Sequence, residues 1–186
     1  MSHRKIIALI VAPSGAGKTA VCDMLSQKYG LKQVCSYTTR PPRYRGEASH
    51  LFIDESEVPN RDKMCAYTFY NGHHYFATHQ QVDNADLYVI DPAGVQYFMK
   101  HYRGDRIPLV IKLDVPMMER MKRMADRGDT EAQIIKRIEC DKRSFRFVPH
   151  DAKFANHDIE ECADEIYRYI SEQEKKLAEL EERVIS

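Results

Sequence analysis

Net charge is missing from this chain: 28 Lys and Arg offset 28 Asp and Glu over 186 residues. A balanced sequence lacks the broad basic surface that nucleic acids and anionic membranes select, and leaves room only for a local basic cleft. Long apolar runs are missing too, since none approaches the roughly 20 residues that cross a bilayer. The run Ile6 to Ala12 follows basic residues but leads into "PSGAGKT", which is no cleavage site, so a buried strand is expected there and not a secretion signal. Paired cysteines are absent. Cys22, Cys35, Cys65, Cys140 and Cys162 are odd in number and scattered, with no Cys-x-x-Cys, which argues against a disulfide framework or a structural zinc site and fits a reducing cytoplasm. There is no repeat or low-complexity tract, so one domain with one core is expected.

What is present alternates between buried strands and helices. Ile6–Val11 is apolar on both faces, as in a central parallel strand covered by helices. Val21, Met24 and Leu25 recur at helical spacing, and Gly30 is a stop signal. "KQVCSYT" reads as a second short strand, and "RPPRYRGE" is too rich in breakers for regular structure. "HLFI", "MCAYTFY" and "HHYFAT" are short β-like pieces, with Asn71-Gly72 as a hairpin turn. "LYVID" and "IPLVIKLDV" restore the buried-strand pattern, each followed by a helix expected to start at a proline, Pro92 or Pro116. "DAKFAN" is a last strand candidate before a long closing helix. The expected fold class is α/β, a doubly wound parallel sheet with a β-rich insert at roughly 44–83 and a helical lid at roughly 118–149; the core takes roughly 1–43, 84–117 and 150–186.

The turn after the first strand carries chemistry. "APSGAGKT" matches the phosphate-binding loop except that Ala12 stands where the pattern begins with glycine. Gly15 and Gly17 let the backbone N–H groups of the Ser14-Gly15-Ala16-Gly17 stretch converge on phosphate oxygens, and the following helix adds its positive end. Lys18 is expected to reach the β- and γ-phosphates, and Thr19 to place its hydroxyl on Mg²⁺. The loop predicts a nucleoside triphosphate site, but it does not separate an ATPase, a GTPase and a kinase.

"CSYTTRPPRYRGE" adds an acceptor. Arg40 and Arg43 lie three apart on a proline-stiffened loop, so their guanidinium forks can converge on one dianionic phosphate. Here the sequence resembles the guanylate kinase family, whose acceptor loop matches at Ser36, Thr38, Thr39, Arg40 and Arg43, with one extra residue before Gly46-Glu47. The resemblance continues at "GHHYFAT", "VIDPAGV", "RMADRG" followed by "KRI", and "ANHDI". It implies a cytoplasmic, Mg²⁺-dependent kinase that moves the γ-phosphoryl of ATP onto GMP or a GMP-like acceptor. By that resemblance Arg40, Arg43 and Tyr75 hold the acceptor phosphate, Ser36 and Asp91 face its base, and Arg123, Arg127 and Arg137 form the lid over ATP. Asn156 then lies near adenine. Phosphoryl transfer independently calls for such positioning and cationic clamping.

The departures cluster in the base-reading half. The acidic residue with which the family reads guanine aligns with Ala66, the first acid of its Asp-x-Asp with Val89, and a tyrosine before the insert's first Phe with His50, which can still touch a phosphate. Thr68 and Tyr70 lie on Ala66's face by strand period and are candidate replacements. The alternative is a kinase of the same fold with a different nucleotide or phosphorylated small molecule as acceptor. A non-catalytic guanylate-kinase-like binding module would show decay of the ATP loop, which is intact here. His73 and His74 are adjacent on a strand and point apart, so with His79 they make a poor metal site. Ile166, Ile170, Gln173, Leu177, Leu180 and Val184 form a short heptad seam, read either as packing on the chain's own domain or as a homodimer contact. Neither a nucleic acid nor a membrane is expected as a partner.

Overall fold

In the computed structural model, which describes residues 5–42 and 45–185, the first strand lies at the centre of the fold. This is β1 (Ile6–Val11), all six residues of which are buried. Its alternation splits it between two cores: Ile6, Ala8 and Ile10 face one apolar cluster, and Ile7, Leu9 and Val11 face another. On the first side lie α1 (Lys18–Tyr29), capped by Gly30 at φ 71°, and the long α6 (Ile159–Ile185), which meet through Val21, Leu25, Ala163 and Ile166. On the other lies α3 (Pro92–His101) with Val95 and Phe98.

β6 (Leu87–Val89) and β7 (Ile107–Asp114) flank β1 on opposite sides, and β8 (Ala152–Ala155) adds to β7, so the parallel order is β6-β1-β7-β8. The α/β sandwich predicted from two-faced apolar strands is therefore the fold. Because its neighbours diverge, the carboxyl end of β1 opens a crevice, and the glycine loop sits there.

A second sheet forms the insert, in the order β3-β2-β5-β4. Here the expectation for "KQVCSYT" needs correction. Only Tyr37–Thr38 is a strand (β2), and it pairs with β3 (Leu51–Phe52) and with β5 (His73–Thr78), outside the core sheet. Gln33 makes an isolated bridge to Leu87, so the segment crosses from one sheet to the other and cannot be a single strand. β4 (Met64–Tyr70) and β5 form the predicted hairpin, with Asn71 and Gly72 at φ 52° and 81°, the positive angles a two-residue primed turn demands. A bulge between Met64 and Ala66 breaks the period, so Met64, Cys65 and Ala66 are all buried in succession. α2 (His79–Asp83) returns the chain to the core.

The segment expected to form a lid folds as two helices, α4 (Met117–Asp126) and α5 (Glu131–Ser144). Pro92 is the first residue of α3 as expected, but Pro116 is the N-cap of α4 and lies just outside the helix. The heptad seam divides: Ile166 and Ile170 are buried on the domain and Leu177 packs against the same cluster, while Leu180 is 57% exposed and the side chain of Val184 lies outside the described residues. Tyr167 stacks on Tyr29 of α1 at 3.7 Å between ring centroids, which fixes α6 to its own domain. Among the described residues no helix is long and apolar enough to cross a membrane.

Candidate active site

The loop between β1 and α1 needs its glycines. Gly15 and Gly17 adopt φ 77° and 86°, and a Cβ at Gly15 would stand 2.6 Å from the backbone oxygen of Arg120, one at Gly17 2.5 Å from Asn156 Nδ2. The start of α1 has no side-chain cap, so its first amides face an incoming ligand, and Thr19 is exposed beside them. Ala16 is buried beneath, its N–H bonded to Pro13 O. Lys18 folds back so that Nζ donates to Ala12 O at 2.5 Å. Burial lowers the lysine's pKa to about 8, with the carboxylates of Asp141 and Asp91 opposing the shift.

Two cavities open on this loop. The larger, about 690 Å³, is lined by Ser14 and Lys18 on the loop side, by Thr68, Tyr70 and Tyr75 of the insert hairpin, by Asp91 at the start of α3, and by Arg137 and Asp141 of α5. The smaller, about 570 Å³, is lined by Gly15, Gly17, Met24, Arg123, His157 and Asp158. Of the three arginines expected together over ATP, Arg123 lines the smaller cavity and Arg137 the larger.

The expected acceptor residues are only partly brought together. Thr68, Tyr75 and Asp91 share the larger cavity; Thr68 Oγ1 donates to Asp91 Oδ1 at 3.0 Å, and the same oxygen caps α3 by accepting from Gly94 N at 2.7 Å. Arg40 is held by Glu47 in a bidentate pair at 2.8 and 3.2 Å, and its buried Nε has no hydrogen-bond partner among the described residues. Arg43 lies outside the described residues. Ser36 does not line the cavity: it is 7% exposed, and its hydroxyl is 2.9 Å from His50 Nδ1. His50 in turn stands edge-on to Tyr75, 5.7 Å between centroids, which puts it behind the pocket wall. Ala66 is packed in the core among Cys65, Ala77 and Val82, so the position aligned with the guanine-reading acid is closed as well as apolar.

The lid residues also part company. Arg123 borders the smaller cavity, held by Glu119 and by Asn156 O at 2.7 Å. Arg137 borders the larger one. Arg127 lies at neither cavity; it bends to Asp129 two residues on, at the exposed end of α4. Asn156 is fully buried, and its Nδ2 donates to Ala16 O at 2.7 Å, so it braces the loop from below and lines neither cavity. Its Oδ1 has no partner among the described residues.

Residues the sequence reading missed are Arg120 and Asp141, which meet at Ser14, and Cys140 and Gln96 in the larger cavity. Helical spacing held a clue: Asp141 is one turn beyond Arg137, on the same face of α5. Cys22, Cys65 and Cys162 are buried, with thiols pushed up to about 12, 12 and 11 by burial, as small core residues should be. Cys35 and Cys140 are half-buried. Among the described residues no three His, Cys, Asp or Glu side chains cluster as a metal site.

No protein-family model matches the chain. Individual relatives do. The guanylate kinase of Nitrosomonas europaea is 29% identical over 175 residues, covering 85% of each chain. That of Rhodopirellula baltica is 28% identical over 195 residues, covering 94% of this chain and 91% of the other. The crystal structure of guanylate kinase from Anaplasma phagocytophilum superposes with a TM-score of 0.63 at 20% identity, covering 94% of this chain and 88% of that one, so the fold is shared. The similarity to guanylate kinases is thus spread over most of the chain rather than confined to the glycine loop.

Proposed function

We propose that the chain is an ATP-dependent nucleoside monophosphate kinase that moves the γ-phosphoryl group of ATP onto the phosphate of GMP or a GMP-like acceptor. The observation that carries this reading is the pair of cavities meeting at the loop, with Lys18 facing the one that the insert hairpin encloses. Nucleotide on the Gly15–Gly17 side would leave its terminal phosphate at Lys18. An acceptor phosphate drawn by Arg40, by Tyr75 and, as the motif implies, by Arg43 would approach from the other side. Transfer then needs alignment and charge neutralisation rather than a protein nucleophile. Lys18 supplies one positive charge, and Arg123 and Arg137, one at each cavity, supply others as the lid settles.

Mg²⁺ fits this donor set. Thr19 offers one exposed hydroxyl next to the open amides of α1, and a cation that keeps several waters and takes phosphate oxygens needs little more from the protein. When bound, the ion would neutralise charge on the β- and γ-phosphates.

A second reading is favoured by specific observations: Ala66 lies in the core and the Ser36 hydroxyl is engaged by His50 outside the cavity. The same chemistry would then serve another acceptor, read by Thr68, Asp91 and the amide of Gln96, which line the larger cavity. ADP release with ATP and a panel of GMP, AMP, CMP, UMP and dTMP separates the two. GMP as the acceptor with the highest kcat/KM is the expected result. Turnover of another monophosphate at tenfold or greater kcat/KM, a margin a single lost polar contact can produce, selects the second reading. ADP release that no acceptor stimulates would sink both.

A further inference from the structure

Two charged side chains that the proposed transfer leaves unassigned are withdrawn from solvent directly against the loop. Arg120 of α4 donates through Nε to Val115 O at 3.3 Å, and through Nη1 to Ser14 O and to Asp141 Oδ2, both at 3.2 Å. Asp141 of α5 accepts from the Ser14 N–H at 2.9 Å and from Ser14 Oγ at 3.3 Å. Their side chains are 11% and 12% exposed.

The Asp141 carboxylate thus has a backbone N–H of the phosphate loop, a hydroxyl and a guanidinium as partners, and it faces Lys18 across the same cavity. These are the partners a terminal phosphate oxygen takes. A phosphate brought to Lys18 would meet the negative charge of Asp141 in a partly desolvated pocket, where like charges are costly.

Resting on the reading of the loop as the ATP site, we propose that Asp141 is an internal anion that holds the place of the donor's terminal phosphate. It latches α5 onto the loop through Ser14, and it makes the site discriminate nucleotides by whether their phosphate chain reaches far enough to displace it. Asp141 is a positioning residue. Its displacement frees Arg120 and the Ser14 N–H for the phosphate and carries Arg137, one turn earlier on the same helix, with it.

The test titrates Mg²⁺-ATP and Mg²⁺-ADP calorimetrically into the full chain and into Asp141→Asn. Asparagine keeps the shape and an acceptor for the Ser14 N–H but removes the charge. ATP is expected to bind about tenfold or more tightly to the variant, with ADP changed by less than about threefold, because the repulsion falls with distance and is strongest at the terminal phosphate. Equal changes for the two nucleotides, or none, would overturn the latch, since a merely structural tie does not count phosphates.

Should the variant fail to fold with Arg120 uncompensated, the wild-type chain still reads the latch through alkylation of Cys140, next to Asp141, followed by peptide mass spectrometry. ATP is expected to accelerate that alkylation more than ADP does. Equal rates overturn the proposal. A wild-type chain that binds neither nucleotide would sink the donor-site reading and the latch with it, whereas binding of both without discrimination sinks the latch alone.

Discussion

Lys18→Met is expected to reduce ATP-dependent transfer by roughly 10³-fold or more while leaving the fold intact, because on the proposed reading the lysine supplies the loop's own positive charge to the reacting phosphates. The stability side of this result is unusual and has a definite sign. The folded pKa is about 8, below the ordinary value of 10.5, because burial disfavours the ammonium. Between those two values the unfolded chain holds the extra proton, so stability rises as pH climbs through that window; below pH 8 the full cost of a buried ammonium is carried. Methionine removes that cost. The thermal midpoint of Lys18→Met at pH 7 should therefore equal or exceed that of the wild type, with the difference shrinking towards pH 10. A variant that is inactive because it unfolds would contradict the assignment.

The same lysine couples nucleotide binding to protons. A bound triphosphate restores the charged form, so at pH 8 to 10 binding should take up a proton and affinity should fall as pH rises, while below pH 8 it should level off. Calorimetry in two buffers of different ionisation enthalpy reads this directly.

Gly15→Ala is expected to lose both stability and nucleotide binding. The new Cβ would meet the Arg120 carbonyl oxygen at 2.6 Å at a residue with φ 77°, so helix α4 must retreat from the loop or the loop must refold. Backbone strain of this kind costs on the order of 1–3 kcal/mol, and the retreat also breaks the contact between Arg120 and Ser14 O. Gly30→Ala is the control: it has a similar φ of 71° with nothing within 4 Å, so it should cost only the left-handed conformation, about 1–2 kcal/mol, and leave nucleotide binding unchanged. Chemical denaturation and ATP titration of the two variants side by side check the contrast. Equal losses of binding would mean that the loop's grip does not depend on the approach of α4.

Some of the molecule is legible along the chain because its causes are local. Two-faced apolar alternation requires a sheet covered on both sides, and β1 delivers its odd and even residues to two separate cores. Asn71-Gly72 carries the turn angles its hairpin needs, and Gly15 and Gly17 carry those of the loop. Lys18, Thr68, Tyr75, Asp91 and Arg137 line the larger cavity, and Arg123 lines the smaller.

What failed to follow from the sequence depends on which surfaces meet. The bulge beside Ala66 suspends the strand's period for three residues and buries that position, which no alternation rule foresees. Ser36 sits at the right place in its motif, yet its hydroxyl is spoken for by a histidine fourteen residues later. Arg127 belongs to the lid motif but finds a nearer carboxylate in Asp129.

The sequence by itself determined that a glycine loop carrying Lys18 joins a buried strand to a helix, because backbone angles and local charge are properties of neighbouring residues. Only the tertiary structure decided that Asp141, more than a hundred residues away, closes on Ser14 of that loop, because a long-range pairing of charges exists only once α4 and α5 have packed.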